Sequence, residues 1–239
     1  MKKAVLFLLV ATFGAGVCAQ DKIPKIGVKW APTGLVLGSL DFQGEYNFGK
    51  NSLTAKIGVP VNAHHTLQYD DRNADFNLKA TSFLAGYRTY FSKKHMKGLY
   101  FEPYFKYVHQ SGDGVGDATL AGEAVIMNFT NDYNGVGIGA QLGAQFLLGK
   151  RLVIDVFLIG PELNSSSNNF RAVEVSHTIP WNAVQASEAE QQIRDFVDKF
   201  PFVRNNTTIM VDQTNKTVSA DFKGLLPGFR IGVSFGIVL

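Results

Sequence analysis

The 239-residue chain has few charges, a single cysteine and no long apolar run beyond its first residues. Charged residues make up 18% of it, against about 25% in an average globular chain. The 23 basic and 20 acidic residues nearly cancel, which excludes a strongly basic nucleic-acid binder and a highly charged disordered chain. One cysteine excludes a disulfide scaffold. Glycine, in contrast, is abundant at 24 positions.

The N-terminus has the layout of a secretory signal peptide. A short basic start at 1–3 and an apolar run at 4–10 precede a small-residue cleavage motif that ends at Ala19. The apolar run is too short for a transmembrane helix. We therefore expect 1–19 to be removed on export and 20–239 to form a near-neutral mature protein, which predicts no nucleic-acid partner.

Eight segments of the mature chain alternate apolar and polar residues with a period of two, as strands do when their two faces meet different surroundings. The last segment is the cleanest, because Phe229, Ile231 and Val233 alternate with Arg230 and Gly232. The predicted strands span about 25–36, 38–48, 51–61, 76–92, 98–110, 132–148, 151–161 and 225–239.

The predicted connections alternate between short and long. In an up-and-down arrangement all the long ones fall on one side, which is the loop asymmetry of outer-membrane barrels. The short connections lie near 38, 49–50, 92–97 and 149–150, and the long ones at 62–75, 111–131 and 162–224.

The composition of the polar face indicates which face is outside. A soluble ligand-binding barrel is apolar inside, whereas a membrane barrel is apolar outside. Here the polar face is rich in glycine and its charges nearly balance, as a narrow lumen of paired ions requires. Aromatic residues also gather near the strand ends, where membrane–water boundaries would lie. The predicted lumen charges are Lys29, Asp41, Glu45, Lys56, Arg88, Glu102, Lys106, Asp155 and Arg230; the aromatics are Trp30, Tyr46, Phe48, Phe91, Tyr100, Phe101, Tyr107, Tyr133 and Phe229.

Stretches such as 83–88 (FLAGYR), 100–104 (YFEPY) and the C-terminal strand resemble small eight-stranded outer-membrane barrels of the OmpA/OmpX type, and most of all exported barrel families of this length. The resemblance implies an all-β, eight-stranded antiparallel up-and-down transmembrane β-barrel. It also implies a place in the outer membrane of a Gram-negative envelope, contact with outer-membrane lipid and insertion by the barrel assembly machinery. It implies no activity.

Residues 162–224 are too many for an unstructured loop. Ser187 and Glu190 have capping-box spacing, and apolar residues then recur at helical spacing until Pro201. We expect a helix over about 184–200 in a cap outside the barrel mouth, which closes it or contacts an external ligand or protein. The alternative is a helix that packs only on its own loop. The flanking segments 170–178 and 207–222 could pair as strands beside it.

The sequence favours a non-enzymatic outer-membrane protein with a sealed, charged lumen, because the side chains of an eight-stranded barrel fill its interior. The external cap would serve envelope structure or surface contact. No cofactor or metal is predicted. His64 and His65 with Asp70 and Asp71, and Asp113 with Asp117, lack the spacing of metal sites. The glycines at 135–139 open a strand rather than a helix, so they do not predict a dinucleotide site.

One enzymatic alternative rests on His109, Ser111 and Glu123. A serine nucleophile needs a base within hydrogen-bond reach and an acid that orients the base. This order of residues is similar to the His/Ser/Glu triad of outer-membrane lipid A deacylases, which are also eight-stranded barrels. The alternative function is therefore a lipid hydrolase with these three residues at its active site.

Overall fold

The computed structural model describes residues 25–69, 72–92, 95–149 and 151–239; the predicted signal peptide lies outside them. No helix in this part of the chain is long and apolar enough to cross a membrane. The strands are β1 Ile26–Ala31, β2 Ser39–Phe48, β3 Asn51–Pro60, β4 Ala63–Tyr69, β5 Arg72–Tyr90, β6 Gly98–Leu120, β7 Glu123–Leu148, β8 Leu152–Glu174, β9 Thr207–Asp212 and β10 Thr217–Val238. The helices are a 3-10 helix at Pro32–Leu37, α1 at Ala183–Asp198 and α2 at Pro201–Arg204.

Eight antiparallel strands form a closed ring in the order β1-β2-β3-β5-β6-β7-β8-β10, and β10 returns to pair with β1. The predicted all-β class with eight antiparallel strands is confirmed. Burial alternates along each strand: Ile26, Val28 and Trp30 are exposed on the outside, while Lys29 between them is buried inside. The ring is therefore apolar outside and polar inside.

The first predicted strand, 25–36, is too long. Strand β1 ends at Ala31, and the chain continues as the 3-10 helix. Pro32 begins this helix because its fixed φ and missing N–H suit a first helical position. Gly38 ends it with a left-handed φ of 78°, which glycine adopts without strain.

Most of the predicted external loops are strand. Strand β4 pairs with the start of β5 where the connection 62–75 was expected. Strands β6 and β7 continue through 111–131 to a turn at Ala121 and Gly122, both with positive φ, as tight hairpins require. Strands β8 and β10 extend until Val173 pairs with Thr217. The inward positions of the β6 extension include Gly112, Gly114 and Gly116, so this extension lacks the apolar alternation of the predicted strands. The flanking segments expected as possible strands are strand over 170–174, 207–212 and 217–222.

Helix α1 packs across the inner face of these extensions, beyond the mouth of the ring. This external cap has a core of its own, so the helix does not pack only on its own loop. The apolar residues predicted at helical spacing do not all face the sheet. Ala189, Ile193 and Val197 do, whereas Phe196 and Phe200 are exposed. Asn182 with Gln185, rather than Ser187 with Glu190, forms the capping box. The buried core residues are Leu120, Val125, Met127, Ala172, Trp181, Ala186, Ala189 and Val218.

Substitution of two valines tests whether the cap has its own packed core. Val125 is buried in the cap core, whereas Val115 is exposed on the outer face of β6. We expect Val125→Ala to destabilise the cap by about 2 kcal/mol through lost burial and a cavity. Fluorescence of Trp181 in a Trp30→Phe background would report cap unfolding. Val115→Ala should stay within about 0.5 kcal/mol of the parent, and an equal loss in both variants would contradict the packing.

Candidate functional site

Arg88 lies at the centre of the lower lumen, the half of the ring away from the cap, and is fully buried. Its Nε donates to Glu102 Oε2 at 2.8 Å, and its Nη1 lies 2.8 Å from Asp155 Oδ2 and 3.4 Å from Glu45 Oε2. The guanidinium stacks 3.7 Å from the centre of the Tyr100 ring. One cation from β5 therefore binds carboxylates from β2, β6 and β8.

Lys29 supplies the second cation of this cluster. Its Nζ lies 2.7 Å from Glu45 Oε2 and 2.6 Å from Asp155 Oδ2, and it donates to Gln145 Oε1 at 2.5 Å. Tyrosine hydroxyls satisfy the remaining oxygens, since Tyr90 donates to Glu45 at 2.6 Å and Tyr100 to Asp155 at 2.7 Å. Buried ions that are paired and hydrogen-bonded in this way avoid the large cost of an unpaired charge.

Glycines on the inner face make room for these large groups. A Cβ on Gly143 would lie 2.4 Å from Cζ of Tyr100, and one on Gly232 would lie 2.4 Å from Cζ of Phe157. The glycine-rich polar face is therefore a consequence of close packing inside a narrow ring.

The upper lumen holds a second set of ions. Lys56 pairs with Asp41 and Lys106 with Glu162, while Arg230 donates to Gln141 at 3.1 Å and lies 4.5 Å from the Phe157 ring centre. Sequence reasoning missed Glu162, because it assigned that residue to an external loop. With Glu162 included, the described part of the chain places five cations and five carboxylates in the lumen, so their charges balance.

Met96, just before β6, fills the end of the ring away from the cap. Met96 is fully buried there beside Val153 and Val238, and its backbone oxygen accepts a 3.0 Å hydrogen bond from Gln145. Below the ion cluster, the lumen therefore ends in packed apolar side chains.

Two of the aromatics predicted at the strand ends point inward instead. Tyr100 is buried in the ion cluster, and Tyr133 faces the inside, where its hydroxyl bonds Ser166 at 2.9 Å. Trp30, Phe48, Phe91, Phe101 and the other members of that group are exposed on the outside.

The predicted triad is not assembled. His109 and Ser111 lie on the outer face of β6, but Glu123 lies beyond the hairpin turn, opposite Leu120. Nine residues of strand separate Ser111 from Leu120, which is about 30 Å. His109 bonds Asn134 Oδ1 at 3.0 Å, and Glu123 accepts from Gln185 at 3.2 Å. The order in sequence suggested a triad, but an extended strand holds its members apart.

No cluster of potential metal ligands occurs among the described residues. His64 bonds Asn77 at 3.1 Å, whereas His65 bonds the Val36 carbonyl at 2.9 Å. Adjacent strand residues point to opposite faces, which explains why the two histidines diverge. Asp70 and Asp71 lie outside the described residues.

Glu174 joins the segments of the cap. It accepts hydrogen bonds from Trp181 Nε1 at 2.7 Å, Ser176 Oγ at 2.8 Å and the His177 amide at 2.9 Å, with Lys216 Nζ 3.8 Å away. Burial raises the pKa of this carboxyl, but the hydrogen bonds from Ser176, Trp181 and His177 outweigh burial and hold its pKa below the ordinary value. The carboxylate connects the end of β8 to the segment that leads into α1.

Comparison of the sequence with protein-family models and with curated proteins gives no match.

Arg88 is the residue on which we expect the ring to depend most. Arg88→Met should lower the free energy of unfolding by about 3–5 kcal/mol, because it leaves the buried Glu102 without a cation and leaves Lys29 alone to pair with Glu45 and Asp155. Arg88→Lys should restore only part of the loss, since a single ammonium lacks the planar fork by which the guanidinium reaches Glu102 through Nε and Asp155 through Nη1. Urea titration of the folded protein measures both. The control is Arg151→Met at an exposed turn, and a similar loss there would rule out a special role for Arg88.

Glu174 makes cap stability depend on pH. Because its pKa is lowered in the folded state, its stabilisation is complete above the unfolded-state pKa and is lost as pH falls through the folded-state pKa. Glu174→Gln should therefore weaken the cap at neutral pH, and the difference from the parent should shrink in acid. Unfolding followed by Trp181 fluorescence between pH 7 and pH 3 measures it. A constant difference across this range would show that the carboxylate charge is not involved.

Proposed function

We propose that this chain is an exported, non-enzymatic outer-membrane β-barrel whose lumen is closed by an ion cluster and whose external cap serves surface contact. The observation that carries the proposal is the reversed polarity of the ring. Its outer face exposes bulky apolar side chains on every strand, among them Phe105, Ile138 and Leu163. A water-soluble ring would place these groups inside.

The apolar outer face also has a defined height. On β6 the outward residues run from Leu99 to Tyr107, which is about 27 Å along the strand and about 21 Å once a strand tilt of about 40° is allowed for. This is close to the roughly 25 Å apolar band of outer-membrane barrels. The next paired residues toward the cap are His109, Asn134 and Ser167. The change to polar residues supports a membrane boundary at this level.

The lumen supports a structural role better than transport. Charged side chains from β1, β2, β5, β6 and β8 meet in the ion cluster, and Met96 closes the end below it. Among the described residues, the charged side chains of the lower lumen are paired with one another, so no aqueous path is needed to solvate them.

The external cap carries the proposed contact surface. Phe196 is 60% exposed and lies against Phe200, with the exposed Phe202 nearby. Exposed aromatic clusters of this kind mark interaction sites on soluble surfaces. The separation of Glu123 from Ser111 removes the geometric support for the lipid hydrolase alternative.

Two substitutions on β7 test the membrane assignment. Leu142 lies in the middle of the apolar outer face of this strand, whereas Ile126 is exposed near its cap end. In liposomes, Leu142→Arg should cost about 2–4 kcal/mol of folding free energy, as arginine does at the bilayer midplane. Ile126→Arg should stay within about 0.5 kcal/mol.

Denaturant titration of the liposome-reconstituted protein measures this pair, and heat-dependent electrophoretic mobility reports whether the ring is folded. If Leu142→Arg were as harmless as Ile126→Arg and the parent stayed soluble without lipid or detergent, the outer face would be a water-exposed surface and the membrane proposal would fail.

A further inference from the structure

One side of the ring is paired over only part of its height. Strand β1 pairs with β10 only from Gly27 to Trp30, and β9 pairs with the same edge of β10 over Thr207–Asp212. Between these two partners, residues 223–234 of β10 pair with β8 on one edge and with no described strand on the other. The ring therefore has a gap in the half of its wall nearest to the cap.

The 3-10 helix borders the gap where β1 would otherwise continue. At bilayer depth, backbone without a strand partner is tolerated only where protein covers it or where it lines a polar cavity. Pro227 lies in the unpaired stretch and has no N–H, which suits a strand edge.

A cavity of about 280 Å³ lies behind the gap. Its lining includes Phe229 and Ile231, which point outward and are 62% and 63% exposed, and also Arg230, which points inward. These three residues belong to the stretch of β10 whose second edge has no strand partner among the described residues. The cavity therefore borders the gap in the wall of the ring, and the gap is its lateral opening. On the other side of the opening lies Leu37, which is 56% exposed.

The inner part of the cavity is positively charged. Lys56, Lys106 and Arg230 line it together with Asp41 and Glu162. The two lysines are paired with the two carboxylates, whereas Arg230 has only neutral partners, an amide and aromatic rings, among the described residues. One guanidinium is left to bind an oxyanion, the group it recognises most strongly.

We propose that this lateral opening binds an amphiphile with an oxyanion head group, a carboxylate or a phosphate monoester, taken from the outer leaflet. The head group binds Arg230, and the acyl chain passes between Leu37 and Phe229 into the lipid. The volume is just under the roughly 300 Å³ at which sites for whole drug-sized ligands begin, so it holds a head group and the first methylenes. This proposal rests on the proposed membrane location.

The test uses the full mature protein in phosphatidylcholine liposomes with three photoreactive probes of one chain length. Dodecanoate, dodecyl phosphate and dodecanol each carry a diazirine in the chain, and mass spectrometry maps the adducts. We expect the two anionic probes to label residues 31–37 and 225–233 and dodecanol not to. Arg230→Gln should weaken labelling about tenfold or more. Arg151→Gln, which removes an exposed arginine at the other end of the ring, should leave it unchanged.

Three results on inserted protein would overturn the lateral site alone. Equal labelling by dodecanol would remove the role of the charged head group. Adducts spread evenly over the outer face, at Phe101 and Leu142 as much as at Phe229, would indicate general lipid contact. Loss of labelling with inorganic phosphate or acetate at the concentration of the probes would indicate a site for free anions. Protein that failed to insert, seen as an absent heat-dependent mobility shift, would overturn the membrane location and the lateral site together.

Discussion

The pairing of Arg88 with three buried carboxylates is the interaction on which the ring depends. An ion inside a narrow, dry lumen is tolerated only when partners from several directions satisfy it. The groups of this cluster come from different strands. Strand β1 supplies Lys29, β2 supplies Glu45, β6 supplies Glu102, β7 supplies Gln145 and β8 supplies Asp155. The cluster therefore favours one closed arrangement of strands, since a shift in register would turn these groups to the outer face.

The same constraint accounts for the unequal halves of the lumen. In the lower lumen, the ion cluster and the buried Met96 leave no open path. In the upper lumen, the ion pairs of Lys56 and Lys106 line a cavity. The edge of β10 beside this cavity has no strand partner, because β1 ends at Ala31. A closed base and a partly open upper wall agree with the two proposals, a sealed lumen and a lateral ligand site.

The external cap shows how strands can gain a second role beyond the ring. Strands β5, β6, β7, β8 and β10 continue past the apolar outer face. Helix α1 covers the inner face of the last four with a core built around Trp181 and Leu120. The sequence predicted the helix within a few residues, because apolar spacing and Pro201 are local signals. It allowed strands at 170–178 and 207–222 but assigned 111–131 to a loop, because inward positions of β6 there are Gly112, Gly114 and Gly116 and carry no apolar side chain. Glu162 was missed as a lumen residue because the predicted seventh strand ended at 161.

The sequence by itself determined the all-β class, the eight antiparallel strands and the inward placement of nine charged residues. All three follow from the alternation of apolar and polar residues along each strand, which is a local property of the sequence. Only the tertiary structure decided which ions meet, where the strands end, that β1 leaves a gap beside β10, and that Glu123 lies far from Ser111. These properties depend on register and on strand length, and both are set by contacts between residues far apart in the chain.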